Sequence, residues 1–340
     1  MQGWIQYLDR RFLLLVPISI DILAVFVSFL ASLLVLGGLL TVGRRFLRLD
    51  IPNERSVHAI PVPRSGGLAI LLGGWFGWAL LPNFPRLLFL CSVALMLLSW
   101  IDDKYRLPVL PRLIVQAMVI AFYISSTHSS FVFLPIILVA LIWVTNLYNF
   151  MDGSDGLAGG MTILGFGFYA AAAKLAGDQS FFLLSSCISV SAVPFLVLNF
   201  HPAKIFMGDV GSIPLGFLAG ALGFMGWQRG LWPLWYPLLV FSPFIVDASL
   251  TLIKRIIARE KFWLPHRSHY YQRFLLMGAG HRNTFLFEFI LMLACGSSAI
   301  VGLFLPESAQ YFLLMSWVVI CAFLVMIVDR RWKRFANEAS

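Results

Sequence analysis

The chain has 340 residues, 60% of them hydrophobic and only 12% charged, with a formal net charge of +9 and a mean hydropathy of +0.86. Soluble domains carry about a quarter charged residues, so a water-soluble globular chain is excluded and an integral membrane protein is expected. In such a protein the placement of Lys and Arg carries more information than their surplus, and nothing here calls for nucleic acid. The four cysteines (Cys91, Cys187, Cys295, Cys321) lie in apolar runs without CxxC spacing, which reads as buried small hydrophobes.

A spanning helix needs ~20 largely apolar residues. Eleven such runs occur, near 18–42, 66–82, 87–101, 109–125, 131–147, 158–175, 180–199, 212–228, 234–254, 285–304 and 310–328. The first is too long for a signal peptide and shows no small-residue cleavage site. The expected fold is therefore all-α: one polytopic membrane domain over residues 1–340, with about eleven transmembrane helices. Orientation follows from the positive-inside rule. With the N-terminus periplasmic, only Arg10, Arg11, Arg86, Lys174 and Arg229 of the 25 Lys and Arg fall outside. The C-terminus is then cytoplasmic, and the inner loops are 43–65, 102–108, 148–157, 200–211 and 255–284. These loops hold the chemistry, while the outer ones are short and bland.

Taken in order, the first inner loop contains Arg55, Ser56, His58, Arg64 and Gly66-Gly67; alone, it fits cationic anchoring at the membrane surface. Asp102 and Asp103 end the third span, where they repel each other and oppose the helix dipole. They read as a solvated helix end, a Mg²⁺ site or a general base. The strongest signal is Asn146-Leu-Tyr-Asn149-Phe-Met-Asp152-Gly-Ser-Asp155-Gly, with a polar residue at every third position. Asn146 and Asn149 should share a helix face, and the glycines that follow leave backbone N–H groups open to a phosphate. Neither the EF-hand spacing nor Gly-Lys-[Ser/Thr] is present.

Asn199–Ser212 places Asp209 between Gly208 and Gly211, with Lys204 to offset phosphate charge and Phe206 as a stacking face. A carboxylate on such a backbone suits Mg²⁺, which fills its shell with substrate phosphate and water. Pro265–Arg273 holds His266, Arg267, His269 and Arg273: either a surface anchor or a cationic clamp for pyrophosphate. Among acids in or near the spans, Asp21 and Glu288 are expected to reach the interface. Asp247 lies deeper, with Arg255 as a structural partner or a function of its own.

Together these residues resemble the polyprenyl-phosphate N-acetylhexosamine-1-phosphate transferases, glycosyltransferase family 4, over about residues 44–275. Five motifs match in order: Asn53-Glu-Arg-Ser-x-His58 with Pro61-x-Pro63-Arg64, Asp102-Asp103, the Asn146–Gly156 row, Phe206-Met-Gly-Asp209-x-Gly211-Ser and the His266–Arg273 loop. The wording around Asn149 looks most like the O-antigen-initiating branch. The consecutive histidines of the muramoyl-pentapeptide translocase are here broken into His266-Arg-Ser-His269.

The resemblance implies transfer from a UDP-N-acetyl sugar to undecaprenyl phosphate with release of UMP, at the cytoplasmic face of a bacterial inner membrane. It implies Mg²⁺, with Mn²⁺ as a substitute, held chiefly by Asp209 with Asp103. Asp102 or Asp103 would deprotonate the lipid phosphate, and Asp152 joins them as a catalytic candidate. Phe206 and Asp155 would contact uracil, and His266, Arg267 and His269 the pyrophosphate. Asn146, Asn149, Lys204, Arg55 and Arg64 complete the substrate-binding candidates, and a homodimer is compatible with this reading. The rival is a multi-pass transporter or flippase with ion-binding Asp residues, which would move solute without producing UMP.

Overall fold

The computed structural model describes residues 20–41, 49–50, 62–127, 134–261 and 266–339. Arg55 and most of the first inner loop lie outside the described residues. Helices run α1 Ile20–Thr41, α2 Gly66–Trp78, α3 Arg86–Tyr105, α4 Val109–Ser126, α5 Leu134–Phe150, α6 Leu157–Leu175, α7 Gln179–Asn199 and α8 Asp209–Gln228. They continue as α9 Trp235–Val240, α10 Ser242–Ile257, α11 Tyr270–Phe274, α12 Gly280–Gly302 and α13 Glu307–Ala339. The fold is an all-α polytopic membrane protein. A two-residue antiparallel pair, β1 (Leu49–Asp50) with β2 (Val62–Pro63), is the only sheet among the described residues.

Each apolar run expected to span coincides with helix, and among the described residues six helices are long and apolar enough to cross a bilayer. Two differ from expectation. The ninth run is broken between α9 and α10 at Phe241, just before Pro243. Proline has no N–H to offer the preceding turn; the Ser242 hydroxyl donates to the Leu239 carbonyl instead, at 2.8 Å. The last run continues as helix well past residue 328, through Arg330–Arg334, and its Asp329 binds Arg273 at 3.0 Å and also Lys254.

Of the long helices α8 is the most enclosed and α13 the most exposed. Helices α3 and α5 flank α8, with α2 beside it. The hydroxyls of Tyr123 and Tyr169 donate to the α8 carbonyls of Ala221 and Ala219, at 3.2 and 3.0 Å. In hydrocarbon each such bond satisfies a group that has no water to turn to. Large apolar side chains such as Phe26, Phe122, Val197 and Phe312 stay exposed on the outer faces. That is a liability in water and the correct surface for lipid.

Candidate active site

The polar motifs converge where alternating helices begin and end on one rim of the bundle. The decisive contact is between backbones. Residues 63–67 run parallel to 206–207, Arg64 bridging Phe206. Phe206 N–H donates to Pro63 O (2.8 Å), Gly66 N–H to Phe206 O (2.8 Å) and Gly67 N–H to Met207 O (3.0 Å). This ties the first basic loop to Phe206-Met-Gly-Asp209, two segments far apart in sequence. Gly208 then takes φ +73°, a region open to glycine at little cost, and turns the chain so that Asp209 opens α8.

Asp209 sits where the helix dipole favours a carboxylate. It lies in the field of Arg112, Arg64 and Asp102 and beside Asn149. Asn149 also accepts from the Ser212 hydroxyl at 2.6 Å, so α5 and α8 are joined at the site. Asp152 accepts from the Gly208 N–H at 3.2 Å. Burial, reinforced by the charge of Asp209, pushes its carboxyl up to about 8. Two neighbouring carboxylates in a half-buried rim, the charge of one raising the proton affinity of the other, are a donor set suited to a hard divalent cation. Asp102 accepts from Leu107 N–H and from Arg112, both at 2.8 Å; Asp103 is partly buried beside it. Asn146 donates to Gln116 Oε1 (2.9 Å) and to the Ile142 carbonyl. Its amide thus ties α5 to α4.

Asp155 forms a neighbouring subsite. Its carboxylate binds His201 Nδ1 at 2.7 Å and the Ala203 N–H at 3.2 Å, with His281 Nδ1 at 3.7 Å. The two imidazoles stack at 5.0 Å. The three residues keep ligand-capable atoms within 4.8 Å of one another, but hydrogen bonds already satisfy the carboxylate. The buried amide of Asn199 connects this subsite to the rest, accepting from Gly156 N–H at 2.9 Å and donating to Ile205 O at 2.8 Å. Lys204 is exposed at the rim.

The histidine loop packs on the end of α5. His269 stacks between Phe150 (6.1 Å) and His266 (4.9 Å), and Tyr271 OH donates to Phe150 O at 3.1 Å. Burial, then the nearby His269 and Arg255, hold His266 down to about 4. It is therefore neutral at physiological pH and acts as a hydrogen-bonding group rather than a fixed charge. Arg267 is half-buried in the same loop.

Three expectations change. Asp247 pairs with His269 at 3.0 Å, not with Arg255, which binds Glu260 at 2.6 Å. Arg273 is engaged by Asp329 and lies over Tyr270 and Trp332, which takes it out of the clamp. Glu288 is buried within α12 instead of reaching the interface. His201, His281, Asn199 and Gln116 were not singled out from sequence. A faint signal existed for His201, which lies inside the Asn199–Ser212 motif.

Comparison with known proteins agrees with this arrangement. Residues 86–226, which include Asp102, the Asn146–Gly160 row and Asp209, match the model of glycosyl transferase family 4. The chain is similar to this family over that segment, which is less than half of its length. It is 28% identical to the probable undecaprenyl-phosphate N-acetylglucosaminyl 1-phosphate transferase of Bacillus subtilis, covering 93% of this chain and 95% of the relative. It is 24% identical to the undecaprenyl-phosphate alpha-N-acetylglucosaminyl 1-phosphate transferase of Escherichia coli, over 94% and 93%. A decaprenyl-phosphate N-acetylglucosaminephosphotransferase of Mycolicibacterium smegmatis is 27% identical, over 84% and 82%.

Proposed function

We propose that this protein transfers N-acetylhexosamine 1-phosphate from a UDP-sugar to undecaprenyl phosphate at the cytoplasmic face of the bacterial inner membrane. A phosphate oxygen of the lipid attacks the sugar-bearing phosphorus of the donor. The bond from that phosphorus to the bridging oxygen breaks, and UMP leaves with that oxygen. The observation that carries this reading is the pairing of residues 63–67 with 206–207, which gathers Arg64, Asp152, Asp209 and Arg112 around one rim. Both reactants are anionic, so catalysis consists mainly of positioning and charge neutralisation. The acceptor phosphate stays at headgroup level, where that rim lies if Lys and Arg are counted inward.

In this reading Arg64 and Arg112 face the phosphates. Asp102 is engaged by Arg112 and Leu107, and its neighbour Asp103 would accept the proton of the lipid phosphate. Asp209, with Asp152 and Asp103, would hold a Mg²⁺ ion that screens the two phosphates from each other. Phe206 and Asp155 take the uracil end, and His266, Arg267 and His269 the pyrophosphate. The relatives' names favour N-acetylglucosamine as the sugar, and the Asn-Leu-Tyr-Asn-Phe-Met-Asp-Gly wording favours a product that starts O-antigen or a related envelope polysaccharide.

The test is UMP release by purified protein given undecaprenyl phosphate, Mg²⁺ and a panel of UDP-N-acetyl sugars. Release with at least one sugar, dependent on the lipid, arrested by EDTA and restored by Mg²⁺, is expected. Solute flux without UMP would replace this reading with the transporter one, and turnover that survives EDTA would remove the metal role.

A second measurement concerns the metal alone. Asp152 with a proton affinity near pH 8 is mostly protonated below that pH, so a bound cation must displace the proton. Mg²⁺ affinity in the absence of nucleotide should therefore rise with pH, about tenfold per unit below pH 8 for one proton released. A plateau should follow above it. Calorimetric titrations from pH 6 to 9 check this; affinity independent of pH would separate Asp152 from the cation.

A further inference from the structure

Asp247 belongs to none of the sequence motifs, yet it is buried in α10 with both carboxylate oxygens engaged. Its Oδ1 accepts from His269 Nδ1 (3.0 Å), Tyr270 N–H (2.9 Å) and the Thr251 hydroxyl (3.2 Å), and Oδ2 accepts from Tyr271 N–H (2.9 Å). A buried carboxylate is stable only if such donors surround it. Three of the four come from one short segment, His269–Tyr271, which this acid ties down from another helix.

We propose that Asp247 is a positioning residue that fixes the tautomer and direction of His269, so that the imidazole presents Nε2 to the phosphate groups of the substrate. An ionised carboxylate can only accept hydrogen bonds, so the proton of neutral His269 sits on Nδ1. Nε2 is then the acceptor at neutrality and a second donor once the ring is charged. Ring contacts with Phe150 and His266 restrict the ring further. The arrangement is the metal-free counterpart of a carboxylate that orients a ligand histidine. The same two backbone bonds hold Tyr271 in place, and its hydroxyl reaches the Phe150 carbonyl, two residues before Asp152. Asp247 thereby sets the histidine loop against the carboxylate row. The substrate half of this inference rests on the transferase reading; the tautomer half does not.

The experiment has two parts. Selectively ¹⁵N-histidine-labelled protein, with the His269 signals assigned by their loss in His269→Ala, is examined at alkaline pH. The Nδ1–H tautomer is expected in the wild type, and its preference should disappear in Asp247→Asn. A wild-type Nε2–H tautomer overturns the proposal, and this reading needs neither turnover nor a variant of Asp247. The second part is a double-mutant cycle on UMP release. Asp247→Asn should cost about 10–100-fold in the wild-type background but less than ~3-fold when His269 is already Ala. An equal loss in both backgrounds would make Asp247 merely structural. If no UDP-sugar supports turnover, the transferase reading fails while the tautomer result still decides the role of Asp247.

Discussion

Asp209→Asn is expected to lower UMP release at least about a thousandfold, a loss of ~4 kcal/mol in transition-state stabilisation, with little change in melting temperature. The two halves of this expectation have separate causes. Asn has the size of Asp and can keep the position opened by Gly208, so packing at the start of α8 is undisturbed. Stability loses the favourable carboxylate–dipole interaction, about 0.3–1 kcal/mol, but the cost of burying the Asp209 carboxylate disappears and offsets it. Catalysis has no such compensation, because the missing charge is the one that Arg64 and Arg112 face and that a cation would bind. Turnover in detergent or nanodiscs, measured beside a thermal melt, separates the two. Turnover like the wild type's would remove Asp209 from the centre of the site.

The helices were legible because hydrocarbon imposes a simple rule, ~20 apolar residues per crossing, and charge clusters mark the ends. The break before Pro243 was visible as a proline but not as a boundary, since the Ser242 hydroxyl that restores the hydrogen bonding leaves no trace in hydropathy. Asp152, Asp155 and Asp209 stood out for a related reason: a carboxylate beside glycine at the mouth of an apolar run costs free energy unless it has a task. What spacing could not supply was who meets whom. Asp155 and His201 are 46 residues apart, Asp247 and His269 are 22 apart, and Lys254 and Asp329 are 75 apart. Local periodicity has no term for such pairs. For Asp247 it offered the neighbouring Arg255 or a function of its own, and for Arg273 a membrane-surface anchor or the substrate. In both cases a closer partner on another helix wins, because a buried charge is satisfied by the donors that its packing delivers.

The same dependence on packing makes Gly211 a sensitive backbone position near the site. A Cβ added there would lie 2.4 Å from Gly67 Cα, and one added at Gly67 would lie 2.3 Å from Gly211 Cα. Neither obstacle is a side chain that could swing aside; the starts of α2 and α8 touch backbone to backbone. Gly211→Ala must therefore push the two helix ends apart, an overpacking cost of about 1–3 kcal/mol. The bond from Gly67 N–H to Met207 O, now 3.0 Å, lies directly in the path of that movement. Asp209, two residues away, would be displaced relative to Arg64, and a shift of ~1 Å in a reacting constellation costs on the order of a hundredfold in rate. The expected result is a melting temperature lowered by roughly 5 °C together with about a hundredfold loss of UMP release. Gly37→Ala serves as the control: nothing lies within 4 Å of the added Cβ in α1, and Ala favours the helix by up to ~1 kcal/mol, so stability and turnover should hold. If Gly211→Ala behaves like Gly37→Ala, the two helix starts do not meet at that distance. The pairing that draws Arg64 to Asp209 would then lose its support.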